Sequence, residues 1–234
     1  SVEKGLDVFQ DSEDLMKLAG SPQGLRDLGL ILGGDVVLLQ ERIAIASSHW
    51  PQVQTDESTL VMSSATAMVE EQFAKGSGWS VSSHLADFTG ESMAEAARNA
   101  IAAMGGQRAP TGSYRVILGP QPLAEILEWI LLPGLHLNMF YAGASPFLGK
   151  FGQQVASDQL GLYDDGSIPG LAGSKAITDE GLPTGRTDLI QHGVLSGLLS
   201  DHYNYQRILH DPKGQEKLGV APQQVAQAIA PRNG

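Results

Sequence analysis

Cysteine is absent from the 234-residue chain, which excludes disulfides, thiolate nucleophiles and every zinc site that uses a thiolate. Basic residues are scarce. Fifteen lysines and arginines stand against 26 aspartates and glutamates, a formal net charge of −11, so a face built to neutralise nucleic-acid phosphates is not expected. No run approaches the ~18 consecutive apolar residues of a membrane span. The longest candidate, Ile126 to Leu132, is broken by Glu128 and stopped by Pro133. The opening Ser1-Val2-Glu3-Lys4 has neither the basic nor the apolar stretch of a secretory signal, and a cytoplasmic protein without membrane contact is expected. Also missing are a Gly-x-Ser-x-Gly elbow, a phosphate loop, and any pair of histidines at i, i+4 with a glutamate between them.

Glycine is in excess, 28 residues or about 12% against about 7% in average usage. Eleven of the 28 lie between Gly143 and Gly197, which predicts a largely irregular stretch there. Before it, apolar residues at helical spacing (Leu15, Leu18, Ala19; then Leu25, Leu28, Leu32) predict two short helices, the second stopped by Gly33-Gly34. The period then changes. Val36 to Gln40, Arg42 to Ser47 and Thr55 to Val69 read as strands, Lys75-Gly76-Ser77-Gly78 as a turn, and Trp79 to Ala86 as a returning strand, so antiparallel hairpins are expected. Gly90 to Met104 is a helix with an alanine stripe and a Gly105-Gly106 stop.

A strand Tyr114 to Leu118 follows, then Gly119-Pro120 opens a helix through Leu131. That helix is apolar around most of its circumference and should be buried on more than one side, either in this chain's core or partly against a partner. Thr187 to Gln191, the turn His192-Gly193 and Val194 to Ser200 form a hairpin signature. Helices are expected at Tyr203 to Leu209 and Pro222 to Ala230. The fold class is α+β, antiparallel hairpins with packed helices and glycine-rich loops.

Among chemistry-bearing groups, Asp164-Asp165-Gly166 and Asp179-Glu180-Gly181 fall in the glycine-rich stretch. Adjacent carboxylates of this kind serve as turn formers that accept backbone N–H bonds, or as contacts to a cation or peptide. The six histidines, His49, His84, His136, His192, His202 and His210, never pair at i, i+4, and the spacing of 192, 202 and 210 crosses a hairpin, which leaves their convergence open. The loops from 143 to 186 carry backbone groups able to pair with an extended peptide, or simply connect packed elements.

Ser145-Pro146-Phe147-Leu148-Gly149-Lys150-Phe151-Gly152, Val155-Ala156-Ser157, Asp164-Asp165, Gly173-Ser174, Asp179-Glu180-Gly181-Leu182-Pro183-Thr184 and Ile190-Gln191-His192-Gly193-Val194-Leu195 occur in succession. This ordered series resembles the TldD/PmbA family, once labelled modulators of DNA gyrase. The resemblance extends over roughly 36 to 234, with one departure at Thr178, where many relatives have an Asp. It marks Ser145, Leu148, Gly152, Ser157, Asp164, Asp165, Asp179, Glu180, Gly181 and Gly193 as family-motif or peptide-binding positions.

The resemblance also implies a division of labour. The TldD branch carries HExxxH and a cysteine that bind zinc and activate water. Here Glu128, Trp129 and Pro133 occupy those positions, so the chain is similar to the PmbA branch, also called TldE, which lacks the ligands. The implied role is the non-catalytic subunit of a metallopeptidase complex active in proteolysis or peptide maturation. Zinc would be in a TldD-like partner, this chain would hold no cofactor, and unfolded or leader peptides would be the substrate. Pairing with such a partner or with a second copy is expected. Residues 1–35 are expected to be a helical linker or the tail of a missing N-terminal domain, and 36–234 a C-terminal domain incomplete at its own C-terminus. Two alternatives stand beside this reading: a self-sufficient hydrolase using His192 or His202 with Asp164, Asp165 or Asp179, and a gyrase-modulating interaction protein.

Overall fold

The computed structural model describes residues 2–48 and 50–219, with 221, 224 and 229; His49 and nearly all of the expected helix Pro222 to Ala230 lie outside these. Two compact units are present, Ser1–Glu41 with Thr59–Val116 and Gly170–Ala172, and Arg42–Ser58 with Ile117–Pro169 and Gly173–Gly234. The mixed α+β class with antiparallel pairing is as the sequence predicts. Among the described residues no helix is long and apolar enough to cross a membrane.

The chain opens with three short helices, α1 (Val2–Gln10), α2 (Glu13–Ala19) and α3 (Pro22–Asp27). Serines supply the caps: Ser12 Oγ accepts from the Leu15 N–H and Ser21 Oγ from the Gly24 N–H. The helix predicted through Leu32 instead ends at Asp27. Gly29 takes a left-handed φ of 65°, which turns the chain into β1 (Leu30–Ile45), one 16-residue strand running straight through Gly33-Gly34. Gly34 is needed there because a Cβ would overlap the Ser64 carbonyl of the neighbouring strand.

β2 (Gln54–Val69) lies between β1 and β3 (Ala74–Ser82), and pairs with β3 antiparallel from Val61↔Ser82 to Val69↔Ala74. The predicted turn at Lys75–Gly78 is displaced: the chain reverses at Glu70–Gln72 and Phe73, whose φ is 51°. Gly76 and Gly78 are inside β3, where they let α4 (Glu91–Ala102) lie directly on the strand. Ser92, Met93, Ala94, Ala96, Ala97 and Ala100 are the buried residues of α4. Met93, Ala96, Ala97 and Ala100 join Phe9, Leu15, Ala67 and Val69 in the core of this unit.

Tyr114 to Leu118, predicted as a strand, is irregular and exposed, with Ile117 at 93%. β-propensity is realised only where a neighbouring strand accepts the ladder. The following helix begins as α5 (Pro120–Ile126), widens into a π-helical turn at Leu127–Leu131 and continues as α6 (Leu132–Leu135), so Pro133 sits in the first turn of α6 rather than stopping it. Of the two sources of burial expected for this helix, this chain's own core does not supply it on every side, since Trp129 and Ile130 are 73% and 70% exposed. Of this stretch Leu135 is part of the core, and Leu131 and Leu132 pack against it.

After α7 (Leu137–Tyr141) come β4 (Leu162–Asp165), β5 (Arg186–Gln191) and the short β6 (Val194–Leu195), in that order in an antiparallel sheet. Asp164 and Asp165 are thus in a strand, not a loop. β6 ends five residues before the predicted Ser200. The chain then folds into α8 (His202–His210), matching the expected helix, and α9 (Pro212–Leu218), which the sequence reading missed. Leu135, Leu137, Phe140, Leu189, Leu195, Leu198 and Ile208 are nearly inaccessible and make the core of the second unit.

Candidate functional site

The family-motif positions of the second unit are held by a framework of turns. Ser145 Oγ donates 2.6 Å to the Gly134 carbonyl and accepts from the Phe147 N–H, which ties the segment after α7 back to α6. Leu148 packs on the core. Gly152, at φ 75°, donates to the Leu195 carbonyl. His192 and Gly193 both have positive φ, 47° and 78°, the twist that a two-residue hairpin between β5 and β6 requires. A Cβ at Gly193 would overlap Gln154 and the carbonyls of Ala156 and Ser157. Ser157 Oγ contacts Asp158 and accepts from the Gln159 N–H.

The acidic pairs divide between turn-forming and ladder roles. Asp165 Oδ1 accepts from both the N–H and the hydroxyl of Ser167, and Asp164 opposes Thr187 in the ladder. Thr178 Oγ1 accepts the N–H groups of Glu180 and Leu182, closing the turn that contains Asp179. Gly181, at φ 79°, leaves its Cα against Ile45 and Trp50. Glu180 Oε2 accepts the His202 N–H at 2.7 Å, and Asp201 Oδ1 the Asn204 N–H at 2.6 Å, so two carboxylates cap the start of α8.

Two cavities among the described residues border these turns. One, of about 290 Å3, is lined by Ser47, Trp50, Glu180, Leu182 and His202. The other, of about 510 Å3, lies along residues 158–163 and 186–192. In it Arg186 donates from Nε and Nη2 to Asp188 Oδ1 at 2.9 and 2.7 Å, and its guanidinium lies 3.8 Å above the Tyr163 ring. The Asp188 hydrogen bond raises the Arg186 pKa against partial desolvation, and the same bond holds the Asp188 carboxyl below its usual range.

The structure therefore groups His192 with Asp158 and Asp188, and His202 with Glu180, rather than with the Asp164, Asp165 or Asp179 of the hydrolase alternative. His136, which sequence reasoning did not single out, has its pKa lowered by desolvation, with Asp201 and Asp164 acting in the opposite direction. The Arg186–Asp188 pair was also missed, although i, i+2 spacing in a strand places both on one face.

The zinc that the resemblance associates with this fold needs donors, and the residues present do not fit it. Trp129 and Pro133 offer no lone pair to a metal, and among the described residues no three His, Asp or Glu side chains converge as a ligand set.

The sheet β4-β5-β6, its hairpin and the capped α8 all fall within the stretch that one domain family's pattern matches. The sequence pattern of the PmbA/TldA metallopeptidase C-terminal domain matches residues 111–230, and the chain belongs to that family. It is 36% identical over 110 residues to a metalloprotease TldD homolog of Haemophilus influenzae, covering 47% of this chain and 23% of the relative. A TldD homolog of Buchnera aphidicola is 28% identical over 178 residues, 70% of this chain and 37% of the relative. The chain thus spans less than two fifths of the length of these relatives. Two solved structures share the fold. A candidate modulator of DNA gyrase from Bacteroides thetaiotaomicron superposes with a TM-score of 0.69 at 20% identity over 91% of this chain and 47% of the other. TldE from Thermococcus kodakarensis does so with 0.59 at 18% identity over 94% and 46%.

Proposed function

We propose that this chain acts as the TldE-like, non-catalytic half of a cytoplasmic TldD–TldE-type metallopeptidase complex, whose zinc is carried by a TldD-like partner and whose substrates are unfolded or leader peptides. The observation that carries the reading is the composition of the α5–α6 helix. Glu128, Trp129 and Pro133 stand where the catalytic branch places its His, Glu and His, and no residue from Ala124 to Leu135 is a histidine. The sequence relatives bear TldD names, so the branch is argued from these positions rather than from overall identity.

The exposed apolar side chains of the same helix, Leu123, Ile126, Trp129 and Ile130, support a surface that is covered in the complex. Exposed apolar groups clustered on one helix are costly in water and typical of interfaces. The test is co-purification with the HExxxH-bearing relative from the same source, followed by cleavage of an unfolded peptide. Activity that appears only in the mixture and is lost with a chelator supports the reading. One tightly held zinc per chain, with chelator-sensitive activity in this chain alone, overturns it in favour of the self-sufficient hydrolase.

A further inference from the structure

We infer that the cavity of about 510 Å3 beside β4 and β5 binds a carboxylate carried on an apolar stem. The inference stands on geometry within the second unit and does not require the peptidase assignment. Tyr163 and Asp188 are cross-strand partners, and Arg186 lies two residues before Asp188 on the same face of β5. A bulge between Leu162 and Tyr163 produces that match, because Leu162 pairs with Ile190 and Tyr163 with Asp188, leaving Leu189 as the extra residue.

Arg186 is fixed from two directions, by Asp188 along its Nε edge and by the Tyr163 ring below. A guanidinium has five N–H donors, and Asp188 takes two of them through a single oxygen. The remaining Nη edge is a preorganised fork whose spacing matches a second carboxylate. Further donors in the same lining are the Gln159 amide and the imidazole of His192, while the Gln191 side chain is hydrogen-bonded to Asp188. Asp188 is committed to Arg186 and Gln191, and the second carboxylate of the lining, Asp158, accepts from the Ser157 hydroxyl. Leu160, Leu162 and Ile190 provide the apolar wall. An anion without an apolar stem would leave that wall in contact with water.

Free small acids and peptide C-termini share this chemistry, so the probes are N-acetyl-leucine, N-acetyl-leucine amide and a hexapeptide ending in Leu with a free carboxylate. Each is titrated against the full chain and followed by amide chemical shifts. We expect shifts confined to residues 158–163 and 186–192, a clear preference for the acid over the amide, and at least tenfold weaker binding in Arg186→Gln, since a charge-assisted hydrogen bond accounts for about one order of magnitude or more. Tighter binding of the hexapeptide than of N-acetyl-leucine identifies a peptide terminus, and equal binding identifies a small acid.

Gln159→Glu, at an exposed position, guards against loss of folding in the arginine variant. It should weaken the acid by adding repulsion while leaving the unfolding transition in place. Equal or better binding of the amide, shifts elsewhere, no binding at tens of millimolar, or unchanged affinity in both variants overturns the proposal.

Discussion

Gly78 of β3 lies so close to Ser92 of α4 that a Cβ on the glycine would overlap the serine's carbonyl oxygen. Gly76 stands in the same relation to the Ala96 carbonyl and the Ala100 N–H. The helix is therefore seated on the strand backbone, and dispersion between closely spaced small groups replaces the large side chains of an ordinary helix–sheet contact. Gly78→Ala must push α4 outward and should cost about 2–3 kcal/mol, the range of an overpacked core. Gly33→Ala, with open space around it and no positive φ, is the control and should change stability by less than about 1 kcal/mol. Urea unfolding of the two variants checks the difference; equal midpoints would show that the helix is not held this tightly.

The same pair explains why part of the fold was legible in the sequence and part was not. The alanine stripe of α4 announces a helix from its period alone, and His192-Gly193 announces a hairpin because few dipeptides accept two positive φ values. Lys75-Gly76-Ser77-Gly78 looks like a turn by the same local rules, yet its glycines serve close approach by a helix some fifteen residues later in the chain. Tyr114 to Leu118 has the composition of a strand, but pairing depends on a neighbour that local sequence does not specify. At the site, the adjacent carboxylates point to acceptors of backbone N–H groups, as Glu180 is for His202, but nothing local indicates that Thr178 does the same. Arg186 and Asp188 sit outside the motifs and needed the bulge at Tyr163 to become a cluster.

Ser145 offers a test of structural against chemical roles. Its hydroxyl, in a residue only 7% exposed, bridges the Gly134 carbonyl and the Phe147 N–H. Ser145→Ala leaves both groups to find new partners and should destabilise the chain by about 1–3 kcal/mol. Thermal or urea unfolding measures this. Unchanged stability together with loss of peptide binding would instead make Ser145 a ligand-contacting residue.

The turn before α8 predicts a graded series. Thr178→Ala removes the acceptor for two N–H groups in a residue 4% exposed and should cost about 1–2 kcal/mol, whereas Thr178→Asp, which restores an acceptor with the reach to serve both, should lie closer to the parent. Glu180→Ala uncaps the His202 N–H at about 1 kcal/mol, and Glu180→Gln, which keeps an oxygen there, at less than half of that. Ranking the four variants by unfolding midpoint checks the assignment. A Glu180→Gln variant as unstable as Glu180→Ala would mean that charge, and not the hydrogen bond, is what the helix start requires.

His136 follows Leu135, whose carbonyl accepts the Leu199 N–H, while the Leu137 N–H donates to the Leu199 carbonyl. Its pKa is lowered from 6.5, chiefly by desolvation, while Asp201 and Asp164 pull it upward. As pH falls through 6.5 the unfolded chain takes up a proton that the folded chain resists, so stability declines from that point and levels off once the folded imidazole is also protonated. Above 6.5 both states are neutral and the group contributes no slope. His136→Gln should flatten the dependence in this window. Asp201→Asn keeps an N-cap side chain for α8 but removes the carboxylate with the larger upward pull, so the His136 imidazole should titrate at still lower pH and the decline should extend further into acid. An NMR titration of the ring protons reads the first effect and unfolding free energies against pH the second; a His136 that titrates at or above 6.5 would remove desolvation as the dominant influence.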